Sequence, residues 1–261
     1  MKKIFFTNIS FPGNAGDFWS SPVHYYDFSK YNFEQIHYMY IWDALEGRER
    51  DYYLLKDSIV VVGGGGLITS KGDHLQNTLE YLVENNKVIF WGSGTNTQFR
   101  PSLGILNHPN VILSGIRDFN FKNYLPCVSC KNILFDKKYV EKGGIGILEG
   151  AGLPVDIPNY PRISNDRPIE EILEFISDKS IIISATFHGI YWSQLMSKKV
   201  LYYNYDDNLI NSKYLNIKHR VDICNKENYL EKIYNISSTE GFKEECRNLN
   251  DNFYREVIKL F

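Results

Sequence analysis

The chain has 261 residues, of which 43% are hydrophobic and 23% charged, and this is the composition of an ordinary globular protein. It excludes a disordered, a collagen-like or a coiled-coil chain. The formal net charge of −2 argues against a nucleic-acid-binding protein, because such proteins carry a basic surface. The length allows one or two domains with a sizeable core.

The amino-terminal segment and the apolar runs predict a cytoplasmic protein. The apolar run Ile4–Phe6 breaks at Thr7, so it is too short for the core of a signal peptide. No apolar stretch approaches the roughly 20 residues of a membrane-spanning helix. We therefore expect the four cysteines to be reduced thiols.

Buried strands and an amphipathic helix alternate along the first half of the chain. Short apolar runs predict strands at Lys3–Thr7, Ser58–Val62, Lys87–Trp91 and Val111–Leu113. Between the second and third strands, His74–Asn86 has apolar residues at helical spacing.

The second half of the chain repeats this alternation. Asp166 is expected to cap a helix that has Pro168 in its first turn. The other elements predicted here are strands at Gly146–Leu148, Ser180–Ser184 and Val200–Tyr203, and helices at His188–Ser197 and from Ser238 onward. Alternating strands and helices predict an α/β protein with parallel sheets.

A polar, glycine-containing segment at residues 136–143 predicts a domain boundary. We expect an N-terminal Rossmann-like domain at residues 1–138, on the acceptor side of the site. A C-terminal Rossmann-like domain is expected at residues 139–261, on the donor side, and it includes the C-terminal helix. The two halves would face each other across a cleft.

Glycine-rich turns follow three of the predicted strands, as Gly13–Asp17, Gly63–Gly66 and Gly92–Gly94. Glycine lets the backbone approach a ligand closely, and open α/β sheets bind ligands at the carboxyl ends of their strands. In the first turn Asn14 and Asp17 are suited to bind a sugar hydroxyl, although a turn with an aspartate helix cap is the alternative. The glycine spacing fits neither a dinucleotide-binding fingerprint nor a P-loop.

Two further turns supply ionisable side chains. His188 lies between a predicted strand and a predicted helix, where it can act as an acid or base near neutral pH; the alternative is a core histidine. Arg117 precedes Asp118 after the fourth strand, and its guanidinium matches a carboxylate or phosphate; the alternative is a surface ion pair. Ser212 and Lys213 offer further anion donors.

Cys127 and Cys130 have the spacing of half a zinc site. A structural zinc ion needs four ligands, and Cys224 and Cys246 do not form a second close pair. We therefore predict no metal site and a packing role for the Cys127–Cys130 pair.

Taken in order, these motifs resemble the polysaccharide pyruvyl transferase family. The resemblance covers roughly residues 3–220 and is carried by Gly13–Asp17, Gly63–Gly66, Gly92–Gly94, Ile116–Asp118, Thr186–Trp192 and Ser212–Tyr214. It implies two facing Rossmann-like domains of the GT-B-like architecture. It also implies that pyruvate moves from phosphoenolpyruvate onto two hydroxyls of a sugar in a bacterial cell-surface glycan, such as a capsule or exopolysaccharide, to form a ketal and release phosphate. Many members have arginine at the position of Thr186.

This resemblance and the chemistry of the side chains assign roles to individual residues. The general acid/base would be His188, and Asp17 would share that work or position the acceptor. Binding of the anionic donor would fall to Arg117, Thr186, Gly189, Ser212 and Lys213. Contact with the acceptor, or shaping of the loops around it, would fall to Asn14, Gly16, Gly64 and Gly65.

The expected partners are phosphoenolpyruvate as co-substrate and a glycan or lipid-linked oligosaccharide as acceptor, without a cofactor, a metal or a nucleic acid. A lipid-linked acceptor would bring the protein to membrane assembly machinery at the inner face of the membrane. One alternative is a GT-B-like glycosyltransferase that uses a nucleotide sugar in cell-surface polysaccharide synthesis. Another is a non-enzymatic sugar-binding or scaffold protein.

Overall fold

The computed structural model describes residues 3–10, 13–39, 55–95, 101–150, 152, 154–204, 217–219 and 221–261. The chain divides into two compact units. Unit 1 comprises residues 1–11, 17–129 and 248–261, and unit 2 comprises residues 12–16 and 130–247. The sequence placed the boundary at 138/139; in this division residues 12–16 group with unit 2, and residues 248–261 with unit 1.

Unit 1 is built on a six-stranded sheet in which every pairing is parallel. Its strands are β1 (Ile4–Ser10), β2 (Phe33–Met39), β3 (Ile59–Val62), β4 (Gly65–Ile68), β5 (Lys87–Thr95) and β6 (Val111–Ile116). The order is β2-β1-β3-β5-β4, and β6 also pairs with β5. Every residue of β3 is buried, which explains why its sequence is a continuous β-branched run.

One long helix covers part of the unit 1 sheet. This helix, α2 (His74–Asn85), begins after Asp73, whose carboxylate accepts a hydrogen bond of 2.9 Å from the amide of Leu75. Its apolar stripe, Leu75, Leu79, Leu82 and Val83, packs into the core of unit 1. Before β6, the other helical segments in the ranges that the structure describes are α1 (Ala15–Phe18) and the 3-10 turns Pro22–His24 and Leu103–Asn107.

Unit 2 is built on a five-stranded sheet, again parallel throughout, in the order β11-β10-β9-β7-β8. Its strands are β7 (Ile145–Glu149), β8 (Arg162–Ser164), β9 (Ile181–Ser184), β10 (Lys199–Tyr203) and β11 (Asp222–Cys224). Among the described residues, the helices that follow α2 are α3 (Ile169–Asp178), α4 (Phe187–Leu195), α5 (Tyr229–Ile233) and α6 (Phe242–Val257), with 3-10 turns at Val128–Lys131 and Ile133–Asp136.

These strand pairings confirm the α/β class with parallel sheets, and both sheets are compatible with Rossmann-like folds. The predicted cap of α3 is wrong, because the N-cap residue is Pro168 and it makes no side-chain capping bond. Asp166 lies two positions earlier, in the turn before the helix. Within the described ranges, no helix is both long and apolar enough to cross a membrane.

Candidate functional site

The carboxyl ends of the parallel strands in unit 1 bring three of the predicted motifs to one edge of the sheet. Gly63 follows β3, Gly92–Gly94 lie in the last part of β5, and Arg117 follows β6. Since all these strands run in the same direction, their ends meet at the same edge. This is the edge at which open α/β sheets bind ligands.

Within the motif Gly63–Gly66, packing and backbone conformation in unit 1 explain the glycines at positions 64 and 65. The Gly64 amide donates to the Ser20 carbonyl at 3.0 Å, and a Cβ on Gly64 would lie 2.8 Å from the Ser20 Cβ. Gly65 has a φ of +120°, a conformation that L side chains rarely adopt, and it begins β4. A Cβ there would lie 3.7 Å from Asp17 Oδ1. Contact of Gly64 and Gly65 with an acceptor remains a prediction.

Arg117 and Asp118 are buried, with 4% and 1% of their surface exposed, so a solvent-exposed ion pair is excluded. The Asp118 carboxylate accepts a hydrogen bond of 2.7 Å from the Thr95 amide, which ties the end of β6 to the end of β5. Gly94 lies directly against the Arg117 side chain, and a Cβ on Gly94 would overlap the guanidinium Nε. The cationic Arg117 side chain is therefore packed against β5 at the sheet edge.

The charges of Asp17 and Arg117 act on the same neighbouring group, the Cys127 thiol. Burial raises the pKa of this thiol, while the Ser129 hydroxyl, 3.2 Å from its sulfur, lowers it. The positive charge of Arg117 lowers the pKa as well, and the negative charge of Asp17 raises it. Asp17, the predicted acceptor-side carboxylate, and Arg117, the predicted donor-binding cation, are thus both close enough to Cys127 for their charges to change the pKa of its thiol.

In unit 2, the turn from β9 into α4 is closed by a helix cap. Thr186 is the N-cap residue, and its hydroxyl accepts a hydrogen bond of 3.0 Å from the Gly189 amide. A Cβ on Gly189 would overlap the Ser184 hydroxyl. Gly189 and the amides after it were predicted to help bind the donor, and the cap uses the amide of Gly189 itself. Donor binding by Thr186 and Gly189 remains a prediction.

His188 is the second residue of α4 and is 5% exposed. Its imidazole packs against Trp192, with ring centroids 5.3 Å apart, and lies directly under Gly16. A Cβ on Gly16 would overlap Nδ1 and the neighbouring ring carbon of His188. Gly16 thus covers the Nδ1 edge of the ring.

The loop that covers His188 is anchored to unit 2 by Asn165. The Ala15 amide donates to the Asn165 carbonyl at 2.9 Å, and the Asn165 side-chain amide donates to Asn14 Oδ1 at 3.4 Å. Sequence reasoning missed Asn165, because its main contact uses a backbone carbonyl, and no side-chain pattern marks such a role.

The structure thus groups the predicted site residues in two sets. Unit 1 holds Asp17, Gly64, Gly65 and Arg117, and unit 2 holds Asn14, Gly16, Thr186, His188 and Gly189. Ser212 and Lys213, predicted to bind the donor, lie outside the described residues.

In the part of the chain that the structure describes, no group of three or more histidine, cysteine, aspartate or glutamate side chains is arranged to hold a metal ion. Cys127 and Cys130 are both buried and are not joined in a disulfide.

Comparisons with known proteins give structural similarity but no family or curated match. No protein-family model matches the sequence, and no curated protein matches it. Among solved structures, the chain is similar to an uncharacterized protein from Klebsiella pneumoniae subsp. pneumoniae NTUH-K2044, at 17% identity and a TM-score of 0.48. The similarity covers 90% of this chain and 87% of that chain. The fold class given above rests on the strand pairings of this chain itself.

Proposed function

We propose that the chain is a polysaccharide pyruvyl transferase, which moves pyruvate from phosphoenolpyruvate onto two hydroxyls of a cell-surface glycan sugar. The observation that supports this most is the contact between Gly16 and His188. It joins the first and one of the last motifs of the family resemblance within unit 2. Neither motif alone distinguishes a site from an ordinary turn, and their contact supports a shared function of the two.

The reaction needs one proton donor and one proton acceptor. Protonation of the methylene carbon of phosphoenolpyruvate forms the methyl group and leaves an oxocarbenium-like centre at C2. One sugar hydroxyl adds to C2 and gives up its proton, the bond from C2 to the phosphate oxygen breaks, and the second hydroxyl adds and gives up its own. One released proton replaces the proton spent on the methyl group, and the other leaves with phosphate.

His188 Nε2 is the proposed site of these proton transfers, since Gly16 covers the Nδ1 edge of the ring. Arg117 is proposed to hold the carboxylate or phosphate of the donor, because its guanidinium offers a fork of N–H donors. Asp17 would position the acceptor or share the proton transfer, and Asn14 would contact an acceptor hydroxyl. Lys213 would bind the donor with Arg117.

The proposal includes the GT-B-like arrangement, in which two Rossmann-like domains face each other across a cleft that binds both substrates. It also includes a cytoplasmic enzyme that works without a cofactor and reaches lipid-linked acceptors at the inner face of the membrane. In this scheme Thr186 caps α4. Many family members have an arginine at this position, and here another anion-binding group would take over the role of that arginine.

The test of the proposal is product analysis with each donor in turn. With phosphoenolpyruvate and a panel of pyranosides, we expect inorganic phosphate and a pyruvate ketal in equal amounts, measured by phosphate assay and mass spectrometry. Release of a nucleotide from a nucleotide sugar, with none of these products, would replace the proposal by the glycosyltransferase alternative. Saturable glycan binding without turnover of any donor would replace it by the sugar-binding alternative.

The variant His188→Ala tests the assignment of the acid/base. We expect turnover to fall about 10²- to 10⁴-fold, because positioned proton transfer contributes this much to catalysis. His74→Ala is the matched control, since His74 is an exposed histidine at the start of α2. Turnover of His188→Ala near that of the control would remove His188 from the mechanism.

A further inference from the structure

Phe119 is an aromatic residue exposed at the sheet edge that carries Arg117. It directly follows the buried pair Arg117 and Asp118, and 48% of its surface is accessible to solvent. An exposed phenylalanine on its own needs no explanation. One that follows a buried cation by two residues, at the ligand-binding edge of a parallel sheet, adds an apolar surface to an edge that also carries polar groups, as sites for amphipathic ligands do.

The turn that carries Phe119 is well braced. The Phe121 amide donates to the Asp118 carbonyl at 3.1 Å, and the Ile116 amide donates to the Asn123 carbonyl at 3.0 Å. The Asn123 side chain donates to the Ser114 carbonyl at 2.8 Å. Tyr124 meets the Phe119 ring edge-on, with centroids 5.1 Å apart and an interplanar angle of 87°. The exposed ring is therefore held in place before any ligand arrives, which lowers the entropy cost of binding.

We propose that Phe119 is a stacking surface for a pyranose ring of the acceptor glycan. A pyranose has a face of C–H groups that suits an aromatic ring, and hydroxyls at its rim that suit polar groups. This inference rests on the proposed function, in which the acceptor hydroxyls must reach C2 of a donor held by Arg117. A sugar ring has to lie beside Arg117 for that reaction, and Phe119 is two residues away.

The binding test uses saturation-transfer difference NMR with methyl β-D-glucopyranoside and methyl β-D-galactopyranoside. We expect saturation of the C–H protons on one face of at least one glycoside. The dissociation constant should rise about 3- to 10-fold in Phe119→Ala and Phe119→Leu, and stay near wild type in Phe119→Trp, because only an aromatic residue provides a flat ring. Leu103→Ala is the matched control, since Leu103 is also exposed on unit 1.

Several outcomes would overturn the inference. They are the absence of any glycoside signal in the wild type, unchanged binding in Phe119→Ala, and Phe119→Leu binding as well as Phe119→Trp. Saturation of the base protons of uridine diphosphate that depends on Phe119, without any glycoside signal, would also overturn it and assign the ring to a nucleotide.

The inference and the proposed function fail in different ways. If phosphoenolpyruvate gives no phosphate while glycoside binding depends on Phe119, the proposed function fails and the stacking surface stands. If phosphate and ketal form but Phe119→Ala leaves the KM for the acceptor unchanged, the stacking surface fails and the proposed function stands. A supporting result is a higher KM for the acceptor with the KM for phosphoenolpyruvate unchanged.

Discussion

Gly16 and Gly94 have the same relation to the candidate site, because a Cβ at either position would overlap a charged or ionisable side chain beside it. Gly16 lies on the His188 imidazole within unit 2, and Gly94 lies on the Arg117 guanidinium within unit 1. The sequence marked both glycines as places of close backbone approach, but it assigned that approach to a ligand. The structure assigns it to side chains of the protein itself, which a glycine motif cannot distinguish without the fold.

Gly94 allows a double-mutant test of this packing. In Gly94→Ala, the new methyl group and Arg117 compete for the same space, and we expect a loss of about 1–3 kcal/mol in the free energy of unfolding. In the Arg117→Ala background the same substitution should cost much less, because Nε, Cγ and Cδ of the arginine, the atoms nearest to the added Cβ, are all removed. Urea denaturation of the four proteins measures the coupling.

The control for this cycle is Gly104→Ala, whose Cβ would meet nothing within 4 Å among the described residues. Its effect on unfolding should be small and the same with and without Arg117. Equal costs of Gly94→Ala in both backgrounds would show that Gly94 is needed for a reason other than the arginine.

The helices and strands predicted best from the sequence are those marked by an apolar pattern within their own residues. The bounds of β3, β9 and α2 were predicted to within one residue. The starts of β1 and β5 were also predicted, but β1 extends to Ser10 and β5 to Thr95, so Gly92–Gly94 lie within a strand and not in the predicted turn. The three-residue strands β8 and β11 were missed, because short strands form through pairing with their neighbours in the sheet. The position of residues 13–16 on unit 2 was missed for a related reason, since it depends on contacts with residues distant in the sequence.

The Asp136 carboxylate forms ion pairs with the first part of α6, and its contribution to the free energy of unfolding depends on pH. Asp136, at the end of a 3-10 turn, accepts hydrogen bonds of 2.8 and 2.9 Å from Arg247 and 3.0 Å from Lys243, both on α6. These contacts, those with Arg247 above all, lower the pKa of Asp136 to about 2. The unfolded carboxyl has a pKa of about 3.9, so the ionised form stabilises the folded state.

Asp136→Asn is expected to reduce the free energy of unfolding above about pH 4, where the wild-type carboxylate is charged in both states. Because the folded pKa is the lower one, the difference should shrink as pH falls from about 4 towards 2. The side chain of Asp136 is half exposed, so the difference should be about 1 kcal/mol or less. Urea denaturation between pH 6 and pH 3 measures it.

Asp156→Asn is the matched control, because Asp156 pairs with the single cation Lys226 and both side chains are mostly exposed. A difference for Asp136→Asn that stays constant down to pH 3 would contradict the assigned effect of Arg247 and Lys243.

At the scale of the whole molecule, the two units share two helices. The first residues of α1 belong to unit 2 and the last to unit 1, and α6 passes from unit 2 into unit 1 between Arg247 and Asn248. Unfolding of unit 2 would therefore disrupt helices that continue into unit 1. We expect the two units to unfold in one cooperative transition rather than in two. The polar segment at residues 136–143 could not predict these shared helices. Such a segment shows where a linker is favourable, but it does not show which helices continue from one unit into the other.

The four cysteines report on this transition, since one lies in unit 1 and three lie in unit 2. All are buried, and burial raises the pKa of Cys127, Cys246 and Cys224, the last to about 12. Labelling of the native protein at pH 8 should therefore be more than about 100-fold slower than for an added exposed thiol in Ile133→Cys, since the reagent needs an accessible thiolate. In rising urea, all four should become reactive at one midpoint, read by mass spectrometry of peptides. Reaction of Cys127 at a different urea concentration from Cys224 and Cys246 would show that the units unfold separately.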